Sequence, residues 1–510
     1  MNAMQSWRRV LGAGVLALSV VAAGAAWADE PVRGGSITVG LETDLRGFDP
    51  IKGRVLGNSA ATVINVIEER LFDFDEDGGL IPVLATGMES ENDGMSWLVH
   101  LREGVTFHDG TPFDADAVVA HWERILSPVY IGGLFLRPMD RVEKVDGHTV
   151  RFHLKHPWAP FVGAITLPIG FAPYIPSPTA VAAETHHRQP VGTGPYMFKE
   201  WSSGDRLVVV RNPNYWRDGP PYLDKITFRF LPDQQTRLAS LQSGDIDVMW
   251  MDRGTTIRSA QKDEDLVAHE AIGGGSLIIF MFNASKPPLD NPLVRRALSH
   301  AWNQAVALRV MYRDTQSAIT HPYGAALDCG KAGYREHDIA AAKALLAEFG
   351  EPVELEMIHT TTPRGREAGQ MLQQFFKRVG VTLNLKPVDQ LQLRQRVFTN
   401  NYQISGWRIG DSGDQGPQQF GLFRKGSPYN IMKYNTPEMD ALLDAQRETV
   451  DVEARAKLMC QIAEKINEDA PIVYAGGRRH YAFSRPRLKG IPPLTNGVIR
   501  LGDVWVTDGE

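Results

Sequence analysis

The sequence lacks the short motifs that mark common catalytic sites. It contains no H-E-x-x-H, no G-x-S-x-G and no Walker-type phosphate loop. Positive charge is not in excess either, because the formal net charge is −6. A nucleic-acid partner usually requires a basic face, so we expect no such partner. We also expect no cofactor, no resident metal and no enzymatic activity. The remote alternative to a protein without enzymatic activity is a secreted hydrolase with paired carboxylates.

Long apolar runs are absent except near the amino terminus. Arg8 and Arg9 precede the small, apolar segment 10–26, and Ala26-Trp27-Ala28 fits an A-x-A cleavage site. This pattern predicts a cleaved signal peptide over 1–28 and a periplasmic mature protein; a retained anchor is the alternative. Residues 1–28 hold two arginines and no acidic residue, so the remaining chain has a formal charge of −8.

Cysteine is scarce: the chain has only Cys329 and Cys460. In an oxidising compartment such a pair can form one disulfide. Sequence does not give the Cα separation that a bridge requires, so the bonded and the free states both stay open.

What is present is ordinary globular composition, with 43% hydrophobic and 22% charged residues over 510 positions. Such a length predicts roughly two or three domains. Alternating segments predict strands, for example 36–44, 96–102, 148–154, 206–212 and 225–231. We expect one α/β lobe, a strand-rich insertion, a second α/β lobe and a return segment. The expected boundaries are lobe I over 29–70 with 191–280 and 481–510, the extra subdomain over 71–190, and lobe II over 281–480.

The second lobe carries the clearest unit. A strand over 353–359, a helix to about 379 and a strand over 382–388 predict a parallel, right-handed crossover. Glycines 273–275 and 476–477 flank this lobe. They suit a hinge between the lobes, or they are plain turns.

Candidate binding residues cluster in a glycine-rich loop. The segment 406–420 places Trp407, Arg408, Asp411 and Asp414 after a strand. A carboxylate at a strand end can bind an ammonium group through charge-assisted hydrogen bonds. The alternative is a solvated Asx turn.

Two arginines at the start of a helix form a second candidate site. Arg364 and Arg366 open the helix of the crossover unit. Guanidinium groups beside free backbone N–H groups favour a carboxylate. The alternative is an exposed surface pair.

The blocks of this chain resemble, in order, those of the peptide- and nickel-binding solute-binding proteins of bacterial ABC importers (family 5). The match begins with LATGMESENDGMSWLVHLREGVTFHDGTPFDADAVV (84–119), PVGTGPYMFKEW (190–201) and RNPNYW (211–216). It continues through TRLASLQSGDIDVMW (236–250), FNASKPPLDNPLVRRALSHAWNQ (282–304), AAKALLAEFG (341–350) and KYNTPEMDALLDAQ (433–446).

The resemblance implies an α/β, two-lobe periplasmic binding protein fold (class II type, cluster C) with an extra strand-rich subdomain in the first lobe. It implies a monomer that closes over a short peptide and docks on an inner-membrane ABC permease with its ATPases. A nickel chelate, an opine, a sugar or another small organic solute is the alternative cargo.

The resemblance also assigns residues. Gly406-Trp407, Gly410-Asp411 and Gly413-Asp414 fit the loop that holds a peptide's amino terminus. Asp411 is therefore the first candidate for the ammonium partner, and Asp414 the second. Arg408 and Ile409 make this loop longer than the family pattern. Arg364 or Arg366 is the candidate for the carboxylate of the peptide.

Overall fold

The computed structural model describes residues 30–52, 57–75, 79–128, 130, 136–166, 172–410, 414–494 and 497–507. The predicted signal peptide lies outside these residues. The strands are β1 (Ser36–Leu41), β2 (Phe72–Phe74), β3 (Leu80–Pro82), β4 (Ala85–Glu91), β5 (Ser96–Leu101), β6 (Met139–Asp146), β7 (Thr149–Leu154), β8 (Tyr196–Ser202), β9 (Arg206–Arg211), β10 (Lys225–Phe230), β11 (Val248–Met251), β12 (Val267–Phe282), β13 (Glu354–Thr360), β14 (Thr382–Val388), β15 (Ile404–Ile409), β16 (Ile472–Ser484), β17 (Leu488–Lys489) and β18 (Trp505–Val506).

Helices cover the faces and ends of the sheets. They are α1 (Asn58–Ile67), α2 (Ala115–Leu126), α3 (Phe161–Thr166), α4 (Pro178–Ala182), α5 (Gln234–Ser243), α6 (Gly254–Ala260), α7 (Pro292–Ala301), α8 (Gln304–Tyr312), α9 (Ile339–Phe349), α10 (Pro363–Lys377), α11 (Gln390–Phe398), α12 (Gly416–Phe423), α13 (Pro437–Glu448) and α14 (Val452–Asp469). Many begin at a side-chain cap, as where Asp233 accepts from the backbone N–H of Thr236. Gly244 ends α5 at a φ of 88°, a conformation that suits glycine.

Among the described residues, one mixed sheet has the order β14-β13-β15-β12-β16-β11-β1-β10-β9-β8. At one end β1 pairs in parallel with β10 and β11, while β8 and β9 extend the sheet antiparallel. We call this end the first lobe. Its core joins residues of 37–67, 196–248 and 482–506, so the carboxyl-terminal segment packs there too.

At the other end β13 pairs in parallel with β14 and β15. We call this end the second lobe. The parallel pairing of the predicted crossover is confirmed, and α10 links β13 to β14 and buries Leu372, Phe375 and Phe376 in a core shared with both strands. The hydrophobic face recurs at helical spacing, which is why the sequence predicts it.

Two long neighbouring strands, β12 and β16, run from one lobe to the other. Their first-lobe ends pair over 267–272 and 479–484, and their second-lobe ends over 277–281 and 472–477. The ladder is irregular between Ile272 and Leu277, where glycines 273–275 lie. The glycines predicted as a hinge or as turns therefore lie inside strands, at the crossing between the lobes.

A separate antiparallel sheet of order β4-β5-β7-β6 lies between β1 and β8 in sequence. It has its own core, in which α2 contributes Trp122 and the strands contribute Val99, Val150 and Phe152. This sheet corresponds to the predicted strand-rich insertion. The domain boundaries given above stay a prediction.

The sequence predicts one helix from Pro292 to about residue 311, because proline suits a first helical turn, and this extent is wrong. The segment 292–311 forms two helices, α7 and α8, rather than one. Trp302 leaves the helical conformation with a ψ of 135°, and Asn303 caps α8 by accepting from the backbone N–H of Val306 at 3.0 Å. An asparagine that competes for the backbone starts a new helix at this point.

Residues from Val32 onward form one compact unit. Within the part of the chain that the structure describes, no helix combines the length and apolar character needed to cross a membrane.

Candidate functional site

Two carboxylates follow parallel strands of the first lobe. Glu42 comes directly after β1, and Asp252 directly after β11. Because β1 and β11 are parallel, their carboxyl ends lie at one edge of the sheet. Ligands of open α/β sheets bind at this edge.

Two arginines take the matching places in the second lobe. Arg364 lies in the first turn of α10, which follows β13 and is capped by Thr362. Arg408 is the last residue but one of β15, a strand parallel to β13. The carboxyl ends of these strands therefore bring both guanidinium groups to one edge.

The two edges meet. Arg364 Nη1 lies 2.9 Å from Asp252 Oδ2, and Arg364 Nη2 donates to the backbone oxygen of Asp252 at 3.3 Å. Arg408 Nη2 lies 3.8 Å from the same carboxylate oxygen. We name Glu42, Asp252, Arg364 and Arg408 the boundary cluster. It joins both lobes through opposite charges.

Burial and neighbouring charges perturb this cluster. Burial raises the pKa of Glu42, and the Asp252 carboxylate raises it further, although Arg237, Arg364 and Arg253 act in the opposite direction. Burial alone would lower the pKa of Arg364, but Asp252 outweighs that effect and the pKa is raised. Arg364 is therefore firmly cationic, while Glu42 holds its proton more tightly than an exposed carboxyl does.

A small pocket adjoins the cluster on the side of the first lobe. Its lining residues are Gly40, Leu41, Glu42, Asn58, Ser59, Thr62, Trp250 and Ile499. Asn58 Nδ2 and Trp250 Nε1 are buried and have no hydrogen-bond partner among the described residues. A buried donor without an acceptor is costly, so both atoms suit an acceptor group that enters from outside.

The glycine-rich loop is only partly described. Asp411 lies outside the described residues, so its predicted role stays a prediction. Trp407 is half-buried, with its ring 6.2 Å from that of Phe398 in an edge-on arrangement. Arg408 lies on the face of β15 opposite to Trp407, and its guanidinium group faces Asp252 of the first lobe.

Asp414 is engaged within the second lobe. Its Oδ2 and Oδ1 accept from Arg455 Nη1 and Nη2, each at 2.8 Å. Oδ1 also accepts from the backbone N–H of Gly416 at 2.8 Å. These contacts give Asp414 a structural function, and its ligand role stays a prediction.

The two arginines of α10 have different surroundings. Arg364 belongs to the boundary cluster, whereas Arg366 is exposed and donates to the backbone oxygen of Thr361. Of the two candidates for a ligand carboxylate, Arg364 is the one beside the opposite lobe.

The structure joins Cys329 and Cys460 in a disulfide, with 5.3 Å between their Cα atoms. The bridge ties the loop after 324–326 to α14, within the second lobe. It is remote in sequence from the boundary cluster and serves the framework.

Sequence reasoning missed Glu42 and Asp252. Glu42 lies inside the segment 36–44, which is predicted to be a strand, and Asp252 follows the segment 245–250, which the sequence also favours as a strand. The rule that ligands bind at the carboxyl ends of parallel strands would have found both, had the parallel pairing of β1 and β11 been assumed. Among the residues that can be inspected, no group of three or more His, Cys, Asp or Glu side chains could hold a metal ion.

Comparison with known proteins now identifies the class. The model of the bacterial extracellular solute-binding proteins, family 5 (Middle), matches residues 79–430. This is more than half of the chain, so the protein belongs to that family. It has the two-lobe periplasmic binding protein fold, and it is the solute-binding component of an ABC importer.

Individual proteins are similar over most of their length. The Glutathione-binding protein GsiB of Pectobacterium atrosepticum is 29% identical, with 100% of each chain covered. The Heme-binding protein A of Haemophilus influenzae is also 29% identical, with 87% of each chain covered. The crystal structure of the ABC transporter substrate-binding protein CtaP of Listeria monocytogenes has a TM-score of 0.81 and 26% identity, and it covers 93% of this chain and 100% of its own.

Proposed function

We propose that this protein captures short peptides between its lobes and delivers them to an inner-membrane ABC permease. The observation that carries the proposal is the contact of Asp252 with Arg364 and Arg408 across the lobe boundary. Groups of both charge signs meet where parallel strands end. A peptide, with an ammonium group at one end and a carboxylate at the other, matches such a site.

The peptide's carboxylate would bind Arg364. This guanidinium is about one-third exposed and lies at the first turn of α10, where backbone N–H groups also favour an anion. The peptide's ammonium group would bind Asp411, the residue that fits the family loop. Its backbone would lie extended between the lobes, with its side chains in partly wet pockets.

Closure of the two lobes over the peptide would be a shift between existing conformations, driven by contacts that only the closed form makes. We expect secretion through a cleaved signal peptide over 1–28, action as a monomer in the periplasm, and no turnover of the ligand. The last expectation is tested by looking for new amino termini after incubation with a peptide library.

The experiment described below also distinguishes a peptide from other bound solutes. One relative at 29% identity is named for glutathione, which is a tripeptide, and another at the same identity is named for heme. The charged groups of both signs at the boundary favour the peptide. A nickel chelate, an opine, a sugar or heme would appear instead as one defined species.

The experiment begins with protein purified without refolding. Native mass spectrometry of released ligand should give a set of peptide masses, and calorimetry with defined di- and tripeptides should give measurable affinity. The variant Asp411→Ala should weaken binding by about 2–5 kcal/mol if the ion pair is buried. A single metabolite or metal complex in the released fraction, with no binding of any peptide, would overturn the proposal.

A further inference from the structure

Cationic groups outnumber anionic ones where the lobes meet. Glu42, Asp252 and Asp233 are carboxylates described there. Mutual electrostatic interactions connect them with four guanidinium groups: Arg237, Arg253, Arg364 and Arg408. Whether the site takes one or two ligand carboxylates therefore depends on how each guanidinium group is engaged.

Part of the excess serves the framework. Arg237 is buried and donates to the backbone oxygens of Leu231 and Pro232. Arg364 binds the Asp252 carboxylate at hydrogen-bond distance and is the proposed partner of the ligand's terminal carboxylate. These two arginines therefore do not decide which peptides are accepted.

Arg408 is different. Its guanidinium lies 3.8 Å from Asp252, beyond the length of a good hydrogen bond, and its side chain is 45% exposed. Ile409 and Trp407, its neighbours on β15, point to the opposite face and pack in the core. Arg408 thus presents a planar, multiply donating group at the lobe boundary, a geometry suited to a second carboxylate.

The adjoining pocket adds donors rather than acceptors. Asn58 Nδ2 and Trp250 Nε1 are buried there without a partner among the described residues. Glu42 is the acidic member of the pocket and opposes an anion.

We infer that the preferred solute is an acidic peptide, which carries a second carboxylate besides its carboxyl terminus, and that Arg408 selects this second carboxylate. The inference depends on the proposed peptide-binding function and refines it. Arg408 is a specificity-determining residue for the captured solute.

The test compares peptides that differ only in charge. Affinities are measured by calorimetry for alanine tripeptides with Glu, Gln or Lys placed in turn at each position. For the unmodified protein, we expect one Glu tripeptide to bind about 10- to 100-fold more tightly than its Gln counterpart, with the Lys tripeptide weakest. This preference should shrink as salt concentration rises.

Variants assign the preference to a residue. Arg408→Gln should reduce the Glu-over-Gln ratio to below about threefold, mainly by weakening the binding of the Glu tripeptide. Arg408→Lys should retain part of the ratio, because it keeps the charge but loses the fork. Arg366→Gln is the matched control, since Arg366 is exposed and contacts the backbone of Thr361, and its ratio should equal that of the unmodified protein.

The outcomes separate the two proposals. If no tripeptide binds while thermal unfolding is normal, the peptide-binding function fails. If tripeptides bind but Glu and Gln versions bind equally, the function stands and the acidic preference is wrong. If the preference persists in Arg408→Gln, the assignment to Arg408 is wrong.

Discussion

Arg455 and Asp414 form a two-point ion pair, with both Nη–Oδ distances at 2.8 Å. Their side chains are 15% and 18% exposed. Asp414 also accepts from the backbone N–H of Gly416, the first residue of α12. The pair therefore fixes the end of the glycine-rich loop onto α14.

We predict that Asp414→Asn destabilises the fold and spares binding. Arg455 would lose its counter-ion in a half-buried site, so the free energy of unfolding should fall by about 2–4 kcal/mol. Urea unfolding measures this loss, and calorimetry with a bound peptide should give a nearly unchanged Kd. The control Asp444→Asn breaks the more exposed pair with Arg424 and should cost about 0–1 kcal/mol. Normal stability with lost binding would instead put Asp414 in the ligand site.

We predict that Asp252→Asn strengthens the binding of peptides with a free carboxyl terminus. Asp252 occupies Arg364 at 2.9 Å and would repel an incoming carboxylate. Its neutralisation should lower Kd by about 3- to 10-fold for a free-carboxylate peptide. The same peptide with a carboxyl-terminal amide should show little change. Weaker binding of both peptides would mean that Asp252 positions Arg364 rather than competing for it.

The disulfide should contribute strongly to stability. Cys329 and Cys460 are separated by 131 positions, and cross-links that close long loops restrict the unfolded chain most. We expect the double variant Cys329→Ser/Cys460→Ser to lose about 2–5 kcal/mol in urea unfolding. Dithiothreitol should reproduce the loss in the unmodified protein and have no effect on the variant. Peptide affinity should be unchanged, because the bridge lies within the second lobe.

Buried histidines should make the protein sensitive to mild acid. Burial, assisted by Arg478, lowers the pKa of His480 from 6.5 to about 3. The unfolded chain thus takes up a proton as pH falls below about 6.5, while the folded chain does not until about pH 3. The free energy of unfolding must therefore fall over this range, by up to about 1.4 kcal/mol per pH unit for each such group.

Burial also lowers the pKa values of His121 and His186, each to about 4. Each of these groups therefore adds to the fall in the free energy of unfolding as the pH is lowered. The variant His480→Leu should make stability less dependent on pH between 6.5 and 4. The control is His100→Gln, which changes a half-buried histidine whose side chain is 40% exposed. An identical slope in His480→Leu and the unmodified protein would contradict this assignment.

Local signals in the sequence predicted the elements well where packing agrees with them. The crossover unit around α10 and the stop at Gly244 follow from periodicity and backbone freedom. Gly476 and Gly477 suit either turns or a hinge; they lie within β16, so the turn is wrong and the hinge stays a prediction. A Cβ atom added to Gly476 would lie 2.9 Å from Leu308 Cδ2, and one added to Gly477 would lie 2.6 Å from Ile319 Cγ2. Their role is close packing against residues distant in sequence, which no local pattern reveals.

The site was predicted only in part for the same reason. Arg364 stands out as a guanidinium at a helix start, but its partner Asp252 is 112 positions away. Two separate lobes must be assembled before this pair exists. Asp414 shows the converse, since its place in a family-like loop predicted ligand binding and gave no sign of Arg455.

The crossing of β12 and β16 has a mechanical consequence. Between Ile272 and Leu277, β12 carries four residues where β16 carries one, Arg478. The larger excess belongs to β12, whereas β16 has one extra residue, Ala475, opposite the step from Ile278 to Ile279. Gly476 and Gly477 of β16 also lie close under Leu308 and Ile319. When the lobes turn, β12 can therefore lengthen or shorten its path more readily than β16. The axis about which one lobe rotates relative to the other should therefore pass nearer to β16 than to β12. Opening should then separate the lobes more on the side of β12 than on the side of β16.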